Sequence, residues 1–162
     1  SYNRGNSLNL VALSTLAVKP SGKAPSSSLK KIEAVVRPIP PLPSMEALEP
    51  DVRDLVLALS ALGASPGDRI IPSMYRHLAD WPGFLGLTWT TIAPLHHDGR
   101  LKVLMERGWD AAHANAGRIA GEISLGPEPA GAAEARAGIE EFKRTAISRM
   151  VPVAMIIRRM MG

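Results

Sequence analysis

The chain has 162 residues, 46% of them hydrophobic and 21% charged, enough apolar material for one domain with a core of its own. It contains no cysteine, which removes disulfides, thiolate metal centres, Cys-x-x-Cys redox chemistry and a cysteine nucleophile together. Nineteen Lys and Arg against fifteen Asp and Glu leave a net charge of +4, a mild attraction for anions. The charge is spread along the chain and few aromatic side chains are present for base stacking, so nucleic acid is not an expected partner.

In chain order, Arg4 followed by LNLVALSTLAV has the charged-then-apolar order of a secretory signal. Asparagines at 3, 6 and 9 interrupt it and no clear A-x-A cleavage site follows, so residues 1–18 are expected to form a buried helix. No run of eighteen apolar residues occurs, and VPVAMII near the C-terminus is too short to span a bilayer. No membrane partner is expected, and the location expected is cytoplasmic. Residues 19–44 carry six prolines and five serines, which deny both helical and strand periodicity, and read as a linker with an extended polyproline segment at PIPPLP.

Beyond the linker the pattern is helical. Pro50 suits a first turn, Val52, Leu55, Val56, Leu59 and Leu62 recur at helical spacing, and Gly63 is placed to close the helix left-handed, so a helix is predicted over 49–62. The loop ASPGD leads to a second helix near 70–79. Asp80 is expected to cap a third, in which Trp81, Leu85, Trp89 or Thr88, Ile92 and Leu95 form one apolar stripe. Asp98-Gly99 opens a fourth helix from Arg100 toward Ile123, with Gly108 and Gly117 as places where it would fray. GPEPAGA breaks the chain again, and a last helix runs from about Ala132 to Met160, bent at Pro152. In it Arg144, Arg149, Arg158 and Arg159 read as a solvated face. Met105, Met150, Met155, Met160 and Met161 read as core filler and a soft helical end.

The expected fold class is therefore all-α, a helical repeat domain of five to six helices with a long Pro-rich linker after the first. YNRGNSLNLVALSTL can be laid beside FKRTAISRMVPVAMII, with Tyr2 on Phe142 and Arg4 on Arg144, which suggests duplication. On that basis residues 1–18 are the last helix of an upstream repeat, 19–44 the linker and 45–162 a second repeat.

Most of the chemistry-bearing residue types gather in IPSMYRHLADWPGFL, residues 71–85. Ser73, His77 and Asp80 fall at i, i+4 and i+7, which stacks them along a helix rather than converging them as a triad, and no G-x-S-x-G elbow is present. His96-His97-Asp98 and His113 are metal-ligand types without the H-E-x-x-H spacing, so no metal is expected.

YNRGN followed by an apolar helix, the proline linker, PPLPSMEALEPDVRDLVLALSALG and then IPSMYRHLADWPGFLGLTWTTIAPL together resemble the group I 2-haloacid dehalogenases, which act on both D- and L-2-haloacids. The resemblance implies two helical repeats around a central active site, a homodimer, no cofactor and a small carboxylic acid as substrate. In that family an aspartate activates a water that displaces halide directly at C2, and an asparagine from the first repeat helps place the reactants. Carried onto this chain, Asn6 takes the asparagine position and Ser73 that of the serine before the aspartate. The aspartate itself falls on Met74, whose thioether cannot accept a proton from water. His77 or Asp80 would have to act as base instead. The expected site is thus Asn6, Ser73 and His77 for chemistry, with Arg4, Met74 and Arg76 on the substrate, the two arginines as carboxylate anchors. The rival expectation is a catalytically silent homologue that binds a small anion or serves as an interaction module.

Overall fold

The structure, a computed structural model, describes residues 2–18, 20–22, 40–124 and 130–162; the greater part of the 19–44 linker lies outside them. The described residues form an all-α fold. Its helices are α1 (Tyr2–Ala17), α2 (Pro50–Ala61), α3 (Ser73–Leu78), α4 (Pro82–His97), α5 (Arg100–Ala120), α6 (Ala132–Phe142) and α7 (Ser148–Met160). A π turn, Lys143–Ile147, fuses α6 and α7 into one run, which makes six helical rods. Among the described residues the sheet content is one isolated bridge, Ser21 to Ser124.

Local chemistry places most boundaries. Pro50 begins α2, and Gly63 at φ +70° follows its end, a conformation that costs glycine little because it has no Cβ. Gly99 at φ +81° precedes α5, and Asp98 Oδ1 accepts the Arg100 N–H at 3.0 Å. Where expectation and structure part, proline geometry explains much of the difference. Residue Ile71 stands before Pro72 and is biased to extended backbone, so α3 begins at Ser73 and not near 70. Trp81 stands before Pro82 for the same reason: it becomes the N-cap of α4 at φ −130°, Pro82 takes the first turn, and Asp80 is left exposed in the preceding turn. As a cap residue Trp81 falls outside the helical stripe and is 58% exposed, contrary to its predicted place in the core. Leu85 and Ile92 of that stripe are fully buried.

α5 passes through Gly108 and Gly117 without fraying. At Gly108 a Cβ would sit 3.7 Å from Val151 Cγ1, so the small residue lets α5 and α7 lie close. The last helix is interrupted at the π turn, upstream of Pro152, which stands inside α7. The extra residue rotates the register of everything after it.

The main core joins Val56 and Leu59 of α2, Tyr75 of α3, Leu85 and Ile92 of α4, Leu101 of α5 and Val153 of α7. A second, smaller cluster of Leu10, Ala112, Ile147 and Val151 seats α1 on α5 and α7. Burial of each such side chain is worth about 1.5–3 kcal/mol, which fixes α1 to the body of the domain. Its exit is pinned too: Ser21 and Gly22 donate to the carbonyls of Ala120 and Ile123 at 3.0 and 2.8 Å.

Among the described residues two cations are buried completely. Arg149, expected on a solvated face, is enclosed; Nη1 donates to Ser60 O at 2.6 Å, Nη2 donates to Ile70 O at 3.2 Å, and Nη2 lies 3.4 Å from Asp68 Oδ2. It thereby closes the C-terminal end of α2, where a helix leaves carbonyls unpaired, and ties down the loop that leads into α3. Arg144, Arg158 and Arg159 are exposed as expected. Lys143 pairs with Glu140 at 2.7 Å and lies over the Trp109 ring, 5.0 Å from its centroid, a cation–π contact strengthened by exclusion of water.

Candidate functional site

Ser73 and His77 stand at i and i+4 of α3, hence on one face, and that face meets the first turn of α1. The Tyr2 hydroxyl donates to His77 Nδ1 in a very short contact and its oxygen lies 3.4 Å from Ser73 Oγ. The Tyr2 and His77 rings are 5.9 Å apart, tilted by 47°. A phenol has one proton. With that proton directed at Nδ1, the Ser73 hydroxyl donates to the phenol oxygen, and His77 Nε2 carries the other ring proton and donates to Pro40 O at 3.2 Å. Arg76, next to His77, donates from Nε to Pro43 O at 2.8 Å and again from Nη2 to the same oxygen. The end of the proline linker is thus held across α3 by two side chains. Nearby, Glu46 lies below its ordinary carboxylate range because of its own backbone hydrogen bond and then the Ser44 hydroxyl, with Arg76 and Arg53 adding attraction.

The structure brings some of the expected site residues together and not others. Asn6 is half-buried one turn after Tyr2, on the same side of α1. Arg4 is exposed and, two residues from Tyr2, points to a different side of the helix. Met74, on α3 between Ser73 and Tyr75, turns away from both site residues into the main core, where it is 4% exposed. It packs against apolar neighbours and offers no surface to a ligand. Tyr2, which joins the two segments, was not among the expected site residues. Its signal was weak, because a tyrosine in the first turn of a helix reveals its partner only once the packing of that helix is known.

A concavity lies elsewhere on α1. About 950 Å³ in volume, it runs between α1, α5 and α7, with Asn3 and Ser7 at one side, Leu10 and Val151 in its floor and Arg107, Arg158 and Arg159 along it. Neither it nor a smaller hollow of about 460 Å³ beside Asp68 and Phe142 includes Ser73, Met74, Arg76 or His77. Among the described residues no three His, Asp or Glu side chains are grouped as metal ligands. No described helix is long and apolar enough to cross a membrane.

Compared with protein-family models, curated proteins and solved structures, the chain finds no match in any of the three.

Proposed function

We propose that this protein binds a small 2-substituted carboxylic acid at the junction of α1 and α3 and hydrolyses its carbon–halogen bond at C2, as the group I 2-haloacid dehalogenases do. The observation that carries the reading is the Tyr2 bridge to Ser73 and His77. It joins the two stretches of sequence that resemble the family, YNRGN and IPSMYRHLADWP, although 71 residues separate Tyr2 from Ser73.

In this reading water attacks C2, the carbon–oxygen bond forms as the carbon–halogen bond breaks, and halide leaves with the bonding pair. The water proton passes to the Tyr2 oxygen while the Tyr2 proton passes to His77 Nδ1. The Pro40 carbonyl accepts from Nε2 and holds the imidazolium, the part that a carboxylate plays in a triad. Ser73 orients the phenol, and Asn6 supplies an amide one turn along α1 for water or substrate. Arg76 keeps Nη1 for the substrate carboxylate, since Nε and Nη2 are engaged by Pro43. No cofactor is needed, and a homodimer in the cytoplasm belongs to the same reading.

The second reading is binding of the acid without turnover, and the position of Met74 favours it: the family base is replaced by a thioether sealed in the core. Halide release from each enantiomer of 2-chloropropionate, measured beside calorimetric binding, separates the two. Turnover that falls at least ~100-fold in Tyr2→Phe and His77→Gln, the size of a lost general base, supports hydrolysis. Saturable binding with no halide supports the second reading, and neither signal refutes both.

A further inference from the structure

The cavity between α1, α5 and α7 is far larger than a three-carbon acid needs. Its volume of about 950 Å³ stands near the top of the ~300–1,000 Å³ range of small-molecule sites. Its floor is apolar: Leu10 and Val151 are buried, Ala112 lies beside them, and Met155 and Leu104 remain 53% and 37% exposed at its edge. Exposed large hydrophobic side chains gathered at one concavity mark a surface that something apolar covers.

The charged lining is of one sign. Arg107 comes from α5 and Arg158 and Arg159 from the last turn of α7, while among the described residues no Asp or Glu lines the cavity. No side chain of the three arginines forms an ion pair or a hydrogen bond among the described residues. Guanidinium groups present planar paired donors that match a carboxylate. Set against an apolar trough, they describe a ligand with one anionic head and a long apolar body.

The geometry points to a binding site for a free long-chain carboxylate in the α1–α5–α7 groove, chain on Leu10, Val151 and Met155, head toward Arg158 and Arg159. Tyr2, Ser73 and His77 are not among its lining residues, and it does not depend on the dehalogenase reading. Charge complementarity and room select a single-chain anion over a neutral lipid, and apolar length over a compact phosphate.

Isothermal titration of the protein with hexanoate, octanoate and decanoate, all below micelle formation, tests this. Each two added methylenes should tighten binding roughly tenfold, and decanol should bind at least ten times more weakly than decanoate. Arg158→Gln with Arg159→Gln, both exposed and so compatible with folding, should abolish the preference for decanoate over decanol yet keep the chain-length trend. Ala111→Trp, which fills the groove from an exposed helix position, should abolish decanoate binding with unchanged circular dichroism. The inference is overturned by no saturable heat with decanoate, by equal binding of all three chain lengths, or by a preference for decanoate that survives loss of both arginines. It is also overturned if sedimentation shows a dimer that Ala111→Trp disperses, or if the protein co-sediments with anionic vesicles while ignoring free decanoate.

Discussion

Removing the Arg149 side chain should cost this fold a large part of its stability. In Arg149→Ala the carbonyls of Ser60 and Ile70 lose a donor and the Asp68 carboxylate, with 4% of its side chain exposed, loses its cation. Breaking a buried ion pair from one side costs ~3–5 kcal/mol, because the surviving charge stays buried and unpaired. The whole domain is worth only ~5–15 kcal/mol. With a urea m-value of ~2 kcal/mol/M, the unfolding midpoint should fall by about 2 M. Removing both charges in Arg149→Met with Asp68→Leu should recover much of that loss, since an apolar pair of similar volume replaces a desolvated ion pair at little net cost. Two carbonyls still lack donors in the double variant, so recovery should stop short of the native value. Urea titrations of the two single variants and the double give the coupling directly. A midpoint within 0.5 M of native in Arg149→Ala, a shift of only ~1 kcal/mol, would refute the role assigned to this arginine.

Met74→Asp should destabilise by about 3 kcal/mol or more, seen as a fall in melting temperature, because the carboxylate would enter the main core without a partner. Tyr75 has a buried hydroxyl with no hydrogen-bond partner, and burial pushes its ionisation well above the ordinary 10.0, with Arg149 pulling partly back. The folded state therefore keeps this proton where the unfolded chain gives it up. The Tyr75 contribution to stability should be level below pH 10 and fall above it by up to ~1.4 kcal/mol per pH unit, and Tyr75→Phe should remove that contribution while leaving stability at pH 7 equal or higher. Gly22→Ala should release the chain after α1, since the new Cβ would meet Gly121 O at 2.3 Å; faster hydrogen exchange at the Ser21 and Gly22 amides would report it. Trp81→Ala should lower the unfolding free energy from urea titration by no more than ~0.5 kcal/mol, against ~2–5 kcal/mol for Leu85→Ala, the reverse of what side-chain size suggests.

The elements were legible wherever the signal is local. Pro50 and Gly63 bracket α2 within a residue of the predicted span, and Gly99 opens α5, because helix ends are written in residues whose backbone limits act on the spot. Asp80 and Trp81 show the limit of such reading: two boundary signals competed, and the restriction that Pro82 places on its predecessor displaced the aspartate cap by one residue. Arg149 and Lys143 were not legible as buried. A cation on a helix usually faces water, and only the return of the 68–70 loop, or of α5 carrying Trp109, supplies the partners that make burial tolerable. The candidate site divides in the same way. Ser73 and His77 share a face by spacing alone, whereas Tyr2 reaches them through the seating of α1 on α5 and α7, a contact between segments that no local pattern encodes.

The proposal that Tyr2, Ser73 and His77 form a working centre meets its most direct trial in chloride release from D- and L-2-chloropropionate by the native protein and by Tyr2→Phe. The account predicts chloride in proportion to enzyme, with 2-hydroxypropionate formed in equal amount, and at least ~100-fold less from the variant. Chloride release that is undiminished when the phenol hydroxyl is gone, or none above the buffer blank from the native protein, would contradict it.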